Sequence, residues 1–252
     1  MTQSFRVLLA ASAAGLAVGA AACSDSTAPS GQAMTLSFSS RSPTGGSSVG
    51  SLSPSYAVTV TGGGNTLVIT RAQLVIREVE LKRTGAENCP DGVVGDGNCK
   101  ELEFGPLLVD LPLNSGVTAP RSISVPQGQY RELELDIHKP SGDAGDAAFV
   151  AANPLFANSS IRVEGTFNGT PFVFTSRLNE EIEVEFNPML TVDATGGNIT
   201  IQIDVASWFK NASSGAVIDP NTANSGGVNE GTVKEQIKRS IRALDDDDRD
   251  GR

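Results

Sequence analysis

The sequence predicts an all-β protein, an antiparallel β-sandwich of nine or ten strands with one amphipathic helix near its C-terminus. Three observations predict it. First, apolar and polar residues alternate strictly in three segments: Leu133, Leu135 and Ile137 against Glu132, Glu134, Asp136 and His138; Ile182, Val184 and Phe186 against Glu181, Glu183 and Glu185; and Ile199, Ile201, Ile203 and Val205 against Thr200, Gln202 and Asp204. One dry and one wet face per strand belongs to antiparallel sheets packed face to face, whereas parallel α/β strands read as continuous apolar runs. Second, 27 Gly and 13 Pro in 252 residues exceed ordinary usage and fit many turns between short elements. Third, 39% hydrophobic, 19% charged and 5% aromatic residues describe a globular chain with a modest aromatic core, not a disordered one.

Residues 1–22 carry one cation, Arg6, then an apolar run from Val7 to Ala22 that ends in small residues. This is the pattern of a secretory signal peptide, and the run is too short and too rich in Ala and Gly for a spanning helix. It ends Ala20-Ala21-Ala22-Cys23, which resembles a bacterial lipobox, although Ala20 stands where Leu is usual. Lipidation of Cys23 is expected, and simple cleavage to a soluble protein is the competing reading. Two or more acyl chains give stable anchoring where one is marginal. Residues 23–32 then read as the lipidated cysteine and a small, polar, flexible tether.

Residues 33–252 read as a single domain. A first strand, Met34 to Phe38, precedes a Ser- and Gly-rich loop over 39–55. Further strands are expected at Ala57 to Thr61, Thr66 to Thr70, Gln73 to Arg83, Leu107 to Leu113, Ser122 to Val125, Ile161 to Phe167 and Pro171 to Arg177, alongside the three alternating segments. Asn168-Gly169 is a strong hairpin signal because both residues tolerate positive φ. Cys89 and Cys99 flank a Gly-rich loop, and a disulfide is predicted between them. With Cys23 lipidated, three cysteines then leave no odd thiol. A zinc site would lack ligands, since the lone His138 lies far away. A helix over 232–244 is predicted from a Thr232 to Glu235 capping box and the stripe Val233, Ile237, Ile241 and Leu244.

Net charge −10 and pI near 4.6 argue against a nucleic-acid partner held by a basic surface. Five of the acids fall in the tail 245–252, where Asp246, Asp248, Asp250 and Gly251 match the opening of a calcium loop. No twelfth-position Glu follows, so at most a weak calcium site is expected, and calcium is the one cofactor considered. Trp208 and Phe209 could stack on a carbohydrate, the alternative being a cap on the core. Asp136, His138 and a Glu could make a carboxylate-based hydrolase, and the Glu rows at 131–137 and 180–186 could supply paired carboxylates. No Gly-x-Ser-x-Gly elbow, phosphate loop, dinucleotide fingerprint or redox cysteine pair accompanies them. No catalytic residue is assigned.

From Leu74 to the end, several segments carry a resemblance. These are Ile76-Arg77-Glu78-Val79-Glu80-Leu81, Gly105-Pro106 with Val109-Asp110-Leu111, and Pro126, Gly128 and Tyr130 before Ile137-His138-Lys139-Pro140. Glu164 to Phe172, Asp204-Val205 with Ser207-Trp208-Phe209, and Ile237 to Arg242 before the acidic end complete the set. The chain is similar in these to uncharacterised bacterial exported lipoproteins of domain-of-unknown-function group 4382. The resemblance implies a β-sandwich at the cell envelope and transfers no catalytic residue.

The functional expectation is a non-enzymatic, lipid-anchored envelope protein with a structural or binding role. Its partners are the membrane, through the N-terminal lipid, and an extracellular glycan or envelope protein; nucleic acid is not among them. Ser24 after Cys23, where Asp would resemble an inner-membrane retention signal, favours the outer membrane. The alternative is a carbohydrate- or peptide-binding module, with or without calcium.

Overall fold

A computed structural model describes residues 32–40, 57–84, 99–113, 117–119 and 121–245. They form eleven strands and two short α-helices, with three 3-10 turns between them. The order is β1 (Gln32–Ser40), β2 (Val58–Gly62), β3 (Asn65–Arg83), β4 (Cys99–Asp110), β5 (Arg121–Val125), β6 (Gly128–Ile137), α1 (Ala147–Ala152), β7 (Ile161–Phe167), β8 (Thr170–Ser176), β9 (Glu180–Val192), β10 (Gly197–Ile203), α2 (Glu230–Arg239) and β11 (Ile241–Asp245). The architecture is β-rich and sandwich-like. One sheet has four strands ordered β11-β10-β1-β5; the other has seven, with the path β8-β7-β3-β6-β9 and with β2 and β4 also paired to β3.

The alternating segments behave as their pattern requires. Leu133, Leu135 and Ile137 of β6 are fully buried, as are Ile199, Ile201 and Ile203 of β10, and both sets join one core cluster. From β3 that core takes Leu67, Ile69, Leu74, Ile76, Val79 and Leu81; from β1 it takes Met34, Leu36 and Phe38. Each such side chain contributes about 1.5–3 kcal/mol through burial. The Asn168-Gly169 turn holds φ of 49° and 82°, and Asn168 Oδ1 also accepts the Thr66 N–H at 2.9 Å, tying the β7–β8 hairpin to β3.

Several sequence expectations change, and the described strands number eleven where nine or ten are expected. The segments 66–70 and 73–83 are one strand, β3, whose register shifts at Ile69/Arg71 and Ile76/Glu78 take up the break in alternation. The sheets are not wholly antiparallel, because β1 runs parallel to β10, Leu36 opposite Ile199. β4 begins at Cys99, well before Leu107, and ends at Asp110. The helix expected over 232–244 spans Glu230–Arg239, and Ile241 to Asp245 form strand β11 instead. Ile241 belongs to the helical stripe, but with Ala243 it also has the period of a strand, and as a strand the two pair with Ile203 and Ile201 and complete the backbone bonds along β10. The Thr232 capping box is not formed: Asn229 stands at the N-cap, its side chain donating to Thr222 Oγ1 at 2.8 Å and not capping the helix, while Glu230 accepts the Gly226 N–H at 2.7 Å. Short helix α1 has no counterpart in the sequence reading.

Gly165 lies opposite Ile69 in the antiparallel pairing of β7 with β3, beside the bulge at Ile69/Arg71. A Cβ there would lie 1.9 Å from the Val68 carbonyl oxygen, whereas one at Gly142 would meet nothing within 4 Å. Gly165→Ala is therefore expected to cost roughly 1–3 kcal/mol in urea unfolding, and Gly142→Ala to stay within about 0.5 kcal/mol of the parent protein.

Candidate functional site

The outer face of the seven-stranded sheet gathers the acids that the alternation turned away from the core. Register sets Lys82 of β3 opposite Glu132 of β6 and Glu132 opposite Glu185 of β9. The next rows are Glu80, Glu134 and Glu183, then Glu78, Asp136 and Glu181. Eight carboxylates thus share three rows with one lysine. Oxygens of Glu132, Glu134 and Glu183 lie within 4.8 Å of one another, a spacing a metal could use. The Lys82 ammonium already occupies this ground, paired with Glu132 at 3.2 Å and bonded to Glu134. Burial opposes the charge on Lys82, but these two carboxylates outweigh it and raise its pKa. Burial, with the bond to Glu134 and its charge, pushes the Glu80 carboxyl up to about 7. The Glu rows of β6 and β9 are therefore neighbours on an open sheet face, not carboxylates flanking a cleft as glycoside hydrolysis requires.

The residues named for a hydrolase part company. Asp136, buried, pairs with Arg77 at 2.9 Å. His138, also buried, directs Nε2 to both oxygens of Asp146, at 2.9 and 3.0 Å. Asp146 further accepts the Ser141 N–H at 2.7 Å and the Ser141 hydroxyl at 3.1 Å, and that hydroxyl also bonds Asp143 at 2.6 Å. Burial works to raise the Asp146 carboxyl, but the Ser141 amide and the His138 ring outweigh it and hold it below the usual range. Among the described residues no hydroxyl or thiol bonds His138, so the pair lacks a nucleophile. It fastens the loop after β6, whose backbone is fixed by the His138 N–H to Val75 O bond at 3.0 Å.

Trp208 and Phe209 are 1% and 0% exposed. Trp208 donates from Nε1 to Ser240 Oγ at 2.8 Å, and Phe209 meets Phe174 edge-on at 5.1 Å. Of the two readings of this pair the structure has the cap on the core: β10 ends at Ile203, and the 3-10 turn Val205–Ser207 that follows it leads both rings into the interior.

The sandwich has one closed and one open flank. On the first, β11 packs along β9. On the second, β4 and β5 are the sheet edges, and between them lies a cleft of about 240 Å³. Leu36 and Phe38 line its inner part, Leu107, Leu108 and Val109 one wall, and Arg121 with Asp110 its rim. Asp110 is held by Arg71 at 3.2 Å. Thr118, on the segment leading to β5, joins this flank to β1: its hydroxyl accepts the Phe38 N–H at 2.9 Å and its own N–H bonds Phe38 O at 2.7 Å. Sequence reading missed the cleft, Asp146 and the Glu80–Lys82 rows. The repeated Glu alternation in β3, β6 and β9 was the available signal for the last, while the cleft depends on pairing that no local pattern carries.

Cys23, Cys89, Asp246, Asp248 and Asp250 lie outside the described residues, as does the side chain of Cys99; the lipidation, disulfide and calcium expectations fall there. Among the described residues no helix is long and apolar enough to cross a membrane. No family model matches the chain, and no curated protein does. MbnP from Methylosinus trichosporium is a solved structure similar to it, at 9% identity and a TM-score of 0.37 over 75% of this chain and 81% of that one. A likeness at this level assigns neither family nor function.

The depressed Asp146 carboxyl stabilises the fold fully above the unfolded value near 3.9, and that contribution disappears as pH falls through the folded value. Asp146→Asn is expected to lower stability at pH 6 by about 1–3 kcal/mol. It should also flatten the loss between pH 5 and 3, read by thermal melting across that range.

Proposed function

We propose that this chain is a lipid-anchored, non-enzymatic binding protein of the bacterial envelope that takes an extended peptide segment along its open flank. The observation that carries the binding reading is the cleft between β4 and β5. It is apolar within and charged at the rim, the usual composition of a recognition site. Among the described residues β4 pairs only with β3, leaving a strand edge beside the cleft. A peptide strand added at that edge would gain main-chain hydrogen bonds and could place one apolar side chain between Leu107 and Phe38. A peptide fits better than a glycan, because the aromatic faces a sugar would stack on, those of Trp208 and Phe209, are interior. A binder fits better than a hydrolase, because His138 is engaged by Asp146 and Asp136 by Arg77.

The anchor rests on Ala20-Ala21-Ala22-Cys23 and on the resemblance to exported lipoproteins. From Cys23 to the start of β1 at Gln32 is nine residues, a reach of roughly 30 Å when extended. The outer membrane is the proposed site, from Ser24.

Two measurements test these claims separately. Cys23→Ser should move the protein from the detergent phase to the aqueous phase, and unchanged partitioning would refute lipidation. On a peptide array the parent protein should retain extended sequences with a bulky apolar residue, and Leu107→Glu should weaken capture about tenfold or more while keeping the parent circular dichroism. Equal capture by the two proteins, or binding of glycans alone, would remove the peptide reading.

A further inference from the structure

We propose that Glu80 and Glu134 form a pH-responsive lock on the pairing of β3 with β6: in mild acid a proton held between their carboxyls ties the two strands, and in mild alkali its loss sets the two charges against each other. The geometry comes from the register, which puts Glu80 and Glu134 directly opposite on the outer face. Directly opposite residues have Cβ atoms about 4.5–5.5 Å apart, close enough for two carboxyls to share one proton.

The surroundings favour the shared proton. Along β3 the neighbours are Glu78 and Lys82; across β6 are Glu132, Glu134 and Asp136; beyond them on β9 are Glu181, Glu183 and Glu185. On the other side of β3 the register of β4 sets Glu101 opposite Glu80 and Glu103 opposite Glu78. Lys82 is the one cation in the rows of β3, β6 and β9, and it is committed to Glu132 and Glu134. Arg77, from the bulge at Ile76/Glu78, serves Asp136. Lys82 thus sits against Glu134, and Glu80, half-buried and without a cation of its own in these pairs, holds the proton. Its carboxyl, pushed up to about 7 by burial and by Glu134, agrees with that arrangement.

The direction of the effect follows from proton counting. Between about 4.5 and 7 the folded chain binds a proton at Glu80 that the unfolded chain releases, so stability falls as pH rises through this window. The penalty is absent below the lower value and full above the upper one. This is opposite in sign to the Asp146 contribution and lies at higher pH. One fully linked proton changes the unfolding constant tenfold per pH unit. With Glu80 partly open to solvent screening, an increase of about tenfold in total is expected between pH 5.5 and 8.

The test is urea unfolding of the full mature chain at pH 5.5 and 8, for the parent protein and for Glu80→Gln, which keeps a donor to Glu134 at both values. The parent should show the tenfold change, and Glu80→Gln should lose it and match at pH 8 the stability of the parent at pH 5.5. Any slope that groups remote from Glu80 contribute will appear in both proteins. Equal slopes in parent and variant, or a flat parent, would overturn the lock. Carboxyl-carbon NMR of the parent gives a reading that needs no variant. One glutamate should titrate near neutrality, and titration of every glutamate below pH 5.5 would overturn the proposal even if Glu80→Gln fails to fold.

Discussion

The fold depends on one strand. β3 runs 19 residues and pairs with β2 and β7 over its first part and with β4 and β6 over its second. Every other strand of its sheet joins the sheet through it, β8 by way of β7 and β9 by way of β6. The two bulges make this exchange of partners possible. Each adds a residue on one side, re-aims the strand and lets a new neighbour start in register. Without them, residues 65–83 would have to choose between two registers, and the inner face of one half would turn outward.

That register has an electrostatic consequence. Placing Val79, Leu81, Leu133, Leu135, Ile182 and Val184 on the inner face obliges Glu80, Glu134 and Glu183 to line up on the other. The balance is not close. Each buried aliphatic side chain contributes about 1.5–3 kcal/mol, while like charges directly opposite on a sheet cost only some tenths to about 1 kcal/mol. Hydrophobic burial therefore sets the pairing, and the acids adapt to it. Lys82 relieves Glu132 and Glu134, Arg77 relieves Asp136, and Glu80 is left to answer by holding its proton.

Local alternation revealed β6, β9 and β10, the β7–β8 hairpin and the inward faces of each, because side-chain period is a property of the backbone itself. It also implied a wet, acidic face without showing that three acidic strands would be adjacent. The parallel β1–β10 pair was not legible: the two strands are more than 150 positions apart and nothing in either encodes direction. The end of α2 was misread for a different reason. Ile237, Ile241 and Leu244 satisfy a helical stripe, but Ile241 and Ala243 satisfy a strand equally, and only the backbone of β10 decides between them. At the candidate sites, His138 drew attention as a rare residue type, yet its partner Asp146 lies eight positions away across an irregular loop where no period applies. The cleft is still further from sequence, since it is formed by the separation of two sheet edges.

The parallel pairing of β1 with β10 also sets an order of events. A ribosome delivers β1 first, but the strands that flank it, β5 and β10, follow only after roughly 80 and 160 further residues. Until Gly197–Ile203 arrives, Met34, Leu36 and Phe38 have a neighbour on one side at most, and the small sheet cannot be assembled from the N-terminal part alone. Contacts of such sequence separation slow folding, because the loop between the strands must close before any of them forms. The first of the described strands is therefore among the last to be seated, and a truncated product ending before β10 would carry β1 as an exposed, half-paired apolar strand.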